Sequence, residues 1–154
     1  MITQWMEDKK PGQFSRVGNE LRVTHYDGDV SSLWPREGSL EIPEELRQLQ
    51  DLYEQCDGAD LFSSAFKIAA ISESKWRDGV LMVPTLRQLQ RESQLLGCHF
   101  PEGFVPFMVQ AGIGLYAVAR DRMLICEWDT DEAAVSGEYG SLSGIFDEWL
   151  AAVG

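Results

Sequence analysis

The chain has 154 residues, 44% of them hydrophobic, with 25 carboxylates against 13 Lys and Arg for a net charge of -12. That length amounts to one domain, able to bury roughly 68–70% of its unfolded surface. No segment approaches the ~20 apolar residues of a membrane span, and so acidic a chain repels a phosphate backbone, which sets nucleic-acid binding aside.

At the N-terminus, Ile2, Trp5 and Met6 share one helical face, and Pro11-Gly12 ends that helix. The first ten residues have no basic stretch leading into an apolar one, so a secretory leader is not expected and the cytoplasm is the expected compartment. Gly18-Asn19 reads as a turn between candidate strands, with Leu21, Val23 and His25 alternating on one side. Asp27-Gly28-Asp29 and Pro35 to Gly38 mark further turns, so this region is expected to hold one short helix and one hairpin.

Pro43 suits the first position of a helix, and Glu44 and Glu45 complement its dipole. Leu46, Leu49, Tyr53 and Cys56 form one apolar stripe, and Gly58 stands where a left-handed cap would close it. Phe62 and Phe66–Ile71 then read as a strand or strand pair. Ser72 to Gly79 reads as a polar loop carrying Trp76, and Val80–Val83 as a short apolar run. Thr85 and Gln88 make a capping box ahead of Leu86, Leu89 and Leu96, and Gly97 ends that helix. Three strands follow, Phe104–Val109, Leu115–Ala119 and Met123–Trp128, separated by Ala111 to Gly114 and by Arg120-Asp121-Arg122. Leu142, Ile145, Phe146, Trp149, Leu150 and Val153 recur at helical spacing, which predicts a C-terminal amphipathic helix lying on a sheet. The fold class is therefore α+β, a single domain spanning 1–154, with a mainly antiparallel sheet and helices packed on it.

Catalytic and metal-binding signals are weak. Gly112-Ile-Gly114 leads into a strand-like run, not a helix, so it reads as a hairpin turn and not a phosphate cradle. Cys98-His99 lacks a second ligand pair at a zinc spacing. Asp27-Gly-Asp29 and Asp129-Thr-Asp131-Glu132 do not continue into a calcium loop. Cys56, Cys98 and Cys126 cannot all pair within the chain and sit among apolar residues, which suits reduced thiols. No metal or cofactor is implied. One acidic group remains: Glu127, Asp129, Asp131, Glu132 and Glu138 lie in and beside the stretch joining the last strand to the last helix. Such carboxylates read either as a solvated loop or as a docking surface for a basic protein, since charge complementarity speeds encounter and selects partners.

In this order the elements resemble the SUKH superfamily, which contains cell-wall-assembly regulators of the Smi/Knr type and bacterial immunity proteins that neutralise toxins. The matching stretches are Ile42-Pro43 through Asp57-Gly58, Phe104-Val-Pro-Phe107, Gly112, Leu115-Tyr-Ala-Val118 and Ser143 to Leu150. They cover about residues 40–153, and residues 1–40 fit the family's leading helix poorly. The family often has an acidic residue after the glycine, where this chain has Gly114 and apolar residues. The resemblance implies a domain that binds other proteins and catalyses nothing, and in that family the immunity members block toxins, often nucleases. An immunity protein acting on a basic toxin domain is the leading expectation. A regulatory or scaffolding module and an uncharacterised enzyme are the alternatives.

Overall fold

The computed structural model describes residues 2–36, 38, 41–95, 97–100, 102–112, 114–119, 123–129 and 131–153. Among these residues the chain is one α+β domain built on a nine-stranded antiparallel sheet, with a separate two-stranded hairpin and four α-helices. The sheet order follows the chain. It runs β1 (Gly12–Val17), β2 (Glu20–His25), β3 (Val30–Pro35), β4 (Cys56–Leu61), β5 (Phe66–Ile68), β8 (Phe104–Gln110), β9 (Gly114–Ala119), β10 (Ile125–Asp129) and β11 (Ala134–Tyr139). Between β5 and β8 the chain leaves the sheet to form the hairpin β6 (Lys75–Arg77) and β7 (Val80–Val83) and the helix α3 (Leu86–Leu95).

Strand register assigns the two faces. Leu33, Ala59, Ile68, Met108 and Tyr116 fall on one face and join the main core. That face is covered by α1 (Ile2–Lys9), by a 3-10 turn (Glu44–Leu49) running into α2 (Gln50–Gln55), and by α4 (Leu142–Val153). Val109, Leu115 and Trp128 point to the opposite face, where Leu86 and Leu89 of α3 pack on them. The capping box forms: the Thr85 amide donates to Gln88 Oε1 at 2.8 Å, and the Gln88 amide donates to Thr85 Oγ1 at 3.2 Å. Gly97 takes φ +72 beyond the last turn of α3. Leu96 and Arg120-Asp121-Arg122 lie outside the described residues.

Several expected boundaries move. The helix after Pro43 ends at Gln55, and Cys56–Leu61 is the fully buried strand β4, so Gly58 is no cap. Its φ is +96, and a Cβ there would lie 2.9 Å from Val83 Cγ1 and 3.2 Å from Ala70 Cβ. Gly58 thus lets β7 close over β4. Gly58→Ala is expected to destabilise the fold by about 1–3 kcal/mol through backbone strain and overpacking, read as a lower thermal midpoint. Three further strands escape the sequence pattern. Val30–Pro35 is β3, Lys75–Arg77 is β6 within the expected loop, and Ala134–Tyr139 is the edge strand β11. The turn Asp78-Gly79 has φ +50 and +78, the two left-handed residues of a type I′ hairpin.

Polar side chains pin the excursions to the sheet. Arg77 Nη2 donates to Glu20 Oε2 at 2.6 Å and to the Ser32 hydroxyl at 2.5 Å, while Lys75 Nζ lies 3.1 Å from Asp57 Oδ2. These contacts hold β6 and leave Trp76, 60% exposed, outside. Asp27 and Asp29 are not a merely solvated turn, because both carboxylates pair with the buried Lys10 ammonium. That ammonium lies 5.8 Å from the Phe62 ring and 5.5 Å from Trp149. His25 donates from Nδ1 to the Lys10 carbonyl at 2.7 Å, since a carbonyl only accepts. Its Nε2 then accepts from Ser31 Oγ at 2.8 Å. Between β4 and β5, Phe62, Ser63 and Ser64 all have positive φ, a costly turn held by Ser64 Oγ on Asp60 and Ser63 Oγ on Asp29.

Candidate functional site

A cleft of about 360 Å³ opens where α4 crosses the β9–β11 end of the sheet. Ala65, Ala111, Ile145, Trp149, Ala152 and Val153 supply its apolar wall. Its polar groups are Gln110, Tyr116, Glu127, Tyr139 and Glu148. The strained Phe62–Ser64 turn delivers Ala65 to this wall, and the Ala65 carbonyl accepts the Ala111 amide at 2.9 Å.

Each polar group arrives there for a local reason. Glu127 lies opposite Tyr116 across β9–β10, so both side chains leave the same face of the sheet. The register between β10 and β11 slips after Glu127, which pairs with Gly137 while Trp128 pairs with Val135. The extra residue, Ser136, donates its hydroxyl to Glu127 Oε1 at 2.6 Å. Glu127 Oε2 lies 2.5 Å from the Tyr116 hydroxyl, which also lies 2.6 Å from the Gln110 carboxamide. Across the cleft, Tyr139 on β11 faces Glu148 on α4. Burial, followed by the neighbouring Glu127 carboxylate, holds the Tyr116 phenol well above its ordinary range. Burial and then Glu148 do the same for Tyr139. Both phenols therefore remain protonated donors, held by carboxylates in a cleft with an aromatic and aliphatic wall.

The five acidic residues singled out from the sequence do not share one face. Glu127 is in the cleft. Asp129 Oδ1 accepts the amides of Asp131 and Glu132 at 2.8 and 3.2 Å and so shapes the turn after β10. Asp131 and Glu132 are exposed on that turn. Glu138 belongs to β11, not to a loop, and pairs with Cys126, so it leaves the sheet on the face opposite Glu127. What unites them is the surrounding chain. From Met123 to Gly154 there are seven carboxylates and no Lys, Arg or His, whereas all 13 Lys and Arg precede it alongside the other 18 carboxylates. More than half of the net charge is thus carried by the segment that holds β10, β11, α4 and the turns joining them.

Tyr116, Gln110, Tyr139, Glu148 and Trp149 were not legible as site residues, because each reads as ordinary strand or helix composition. The available signal was Glu127 itself, a charge inside the apolar run Ile125-Cys-Glu-Trp128. Other candidates stay apart. His99 is exposed and edge-on to Trp128 at 6.1 Å, and Cys98 is half-buried. Cys56 is buried, and burial, with Asp57 adding to it, pushes its thiol up to about 12. A thiol so protonated is a poor nucleophile at neutral pH. Among the described residues no group of three or more His, Cys, Asp or Glu could hold a metal ion, and no helix is long and apolar enough to cross a membrane.

No family model, curated protein or solved structure matches the chain.

Proposed function

We propose that this chain is a protein-binding domain whose β10–β11–α4 end docks a basic protein, and that its role is to neutralise a toxin. The observation that carries the reading is the concentration of seven carboxylates without a single basic residue in Met123–Gly154. A surface of one sign raises the encounter rate with a partner of the other sign and disfavours like-charged competitors. A toxin domain that grips phosphates is basic, so such an acidic end would steer onto it and cover its substrate groove. The resemblance to SUKH immunity proteins supplies the class of partner, and the antiparallel sheet with its C-terminal helix agrees with what that resemblance implies about fold.

Affinity capture from the native cell lysate at low and high salt, followed by co-expression with the retained protein, tests this. A basic, toxin-like domain retained at low salt and released at high salt, whose toxicity is abolished by co-expression, is the expected result. A retained housekeeping protein with no effect on growth would replace immunity by a regulatory or scaffolding role.

A further inference from the structure

We propose that the cleft between α4 and β9–β11 is a guanidinium pocket, filled by an arginine side chain that the basic partner inserts. This rests on the reading that a basic protein docks at this end of the molecule. It adds the residue type that anchors the interface and the groups that hold it.

Proton counting supports the assignment. The Tyr116 hydroxyl has one proton and two oxygens within reach, Glu127 Oε2 at 2.5 Å and the Gln110 carboxamide oxygen at 2.6 Å. The phenol can satisfy only one of them. A carboxylate is the stronger acceptor, so the proton goes to Glu127. The Gln110 carboxamide oxygen, 2.6 Å away, then receives no proton from the phenol. Gln110 is only 8% exposed and lines the cleft, so a ligand rich in N–H groups would supply that oxygen with a donor.

The remaining walls narrow the choice. Glu127 and Glu148 bring negative charge from two sides, from β10 and from α4. Both phenols already point their protons at carboxylates and leave ring faces and lone pairs to the cleft. The two carboxylates, the phenol oxygens and the Gln110 carboxamide oxygen are all acceptors, the complement of a cation that only donates. Trp149 and the aliphatic wall suit a methylene stem and a planar head that stacks, which favours guanidinium over ammonium. At about 360 Å³ the cleft lies at the small end of ligand pockets, roughly 300–1,000 Å³. It has room for one side chain, not for a folded segment.

The test is a titration of the full chain with N-acetyl-arginine N-methylamide, following the Trp149 indole and the Tyr116 and Tyr139 ring resonances by NMR. The neutral isostere N-acetyl-citrulline N-methylamide is the control. Saturable shifts at these three residues are expected, with the citrulline probe at least tenfold weaker. Glu148→Gln should weaken the arginine probe at least fivefold. Glu148 is exposed on α4, so this variant should fold normally even if Glu127→Gln, which removes a partner of Tyr116 and Ser136, does not. Equal binding of the two probes, an unchanged affinity in Glu148→Gln, or no saturable shift would overturn the assignment. Retention of a basic protein by a chain that ignores the arginine probe would sink the pocket and leave the docking reading standing. Probe binding without any retained protein would do the reverse.

Discussion

Replacing Phe146 with Ala is expected to destabilise the domain by about 3–5 kcal/mol, the cost of emptying a large buried aromatic site. Phe146 is 1% exposed, and its ring centroid lies 5.4, 5.6 and 5.2 Å from those of Trp5, Phe62 and Phe66. It packs α4 against both α1 and the centre of the sheet, so the cavity would open where three elements meet. Against a typical total of 5–15 kcal/mol the loss is a large fraction. Urea unfolding should show a lower midpoint with an unchanged slope. A loss below about 1 kcal/mol would mean that the aromatic cluster does not seat α4. Trp149→Ala should cost less, since that half-buried side chain has one flank on the cleft.

Two carboxylates three residues apart on β4 should respond to charge removal in opposite ways. Asp57, 2% exposed, accepts the Ile71 amide at 2.6 Å, the Ser72 amide at 3.3 Å, the Ser72 hydroxyl and the Lys75 ammonium at 3.1 Å. Burial alone would raise its pKa, but these donors outweigh burial and hold it below 3.8. Asp57→Asn is expected to cost about 3 kcal/mol, because it leaves the Lys75 charge and two amide donors poorly matched. Asp60, 3% exposed, has Ser64 and a Lys67 ammonium at 3.5 Å, too little to offset burial, which raises its pKa. Asp60→Asn should therefore change stability at pH 7 by less than about 1 kcal/mol in either direction. The pH profiles separate them further. For Asp57 the unfolded chain binds protons more readily, so its contribution is complete above the unfolded pKa near 3.8 and is lost as pH falls through the lower folded value. For Asp60 the folded chain binds the proton more readily. Its contribution is present below that unfolded pKa and is lost as pH rises through the raised folded value. Unfolding curves of both variants between pH 2 and 7 check the signs. A wild-type acid transition that persists unchanged in Asp57→Asn would contradict this assignment.

The difference between these two aspartates also explains which parts of the fold were legible. α3 and α4 and the strands β8, β9 and β10 follow the apolar period of their sequences, because one physical demand, burial of a stripe or a run, decides them. β4 has the sequence Cys-Asp-Gly-Ala-Asp-Leu and every residue in it is buried. Its carboxylates meet Ser72, Lys75, Ser64 and Lys67, partners from other segments that local reading does not see. β11 has Ser136 and Gly137 and no buried residue, since an edge strand needs only backbone pairing on one side. The candidate site divides in the same way. Glu127 was visible as a charge in an apolar run. Gln110, Tyr116, Tyr139 and Glu148 become a site only through strand register and the β10–β11 bulge, which local periodicity does not encode.

The docking claim concerns where the charge lies, not only how much there is, and one comparison separates the two. Association of the basic partner with wild-type chain would be measured beside two variants that each remove three carboxylates. Asp131→Asn/Glu132→Gln/Glu138→Gln neutralises exposed positions at the β10–β11 end, and Glu7→Gln/Asp51→Asn/Glu102→Gln neutralises exposed positions elsewhere. The first should slow association at least tenfold at low salt and flatten its dependence on ionic strength, with the second within about threefold of wild type. Equal slowing by both variants would show that net charge alone attracts the partner, and the β10–β11–α4 end would no longer be its docking surface.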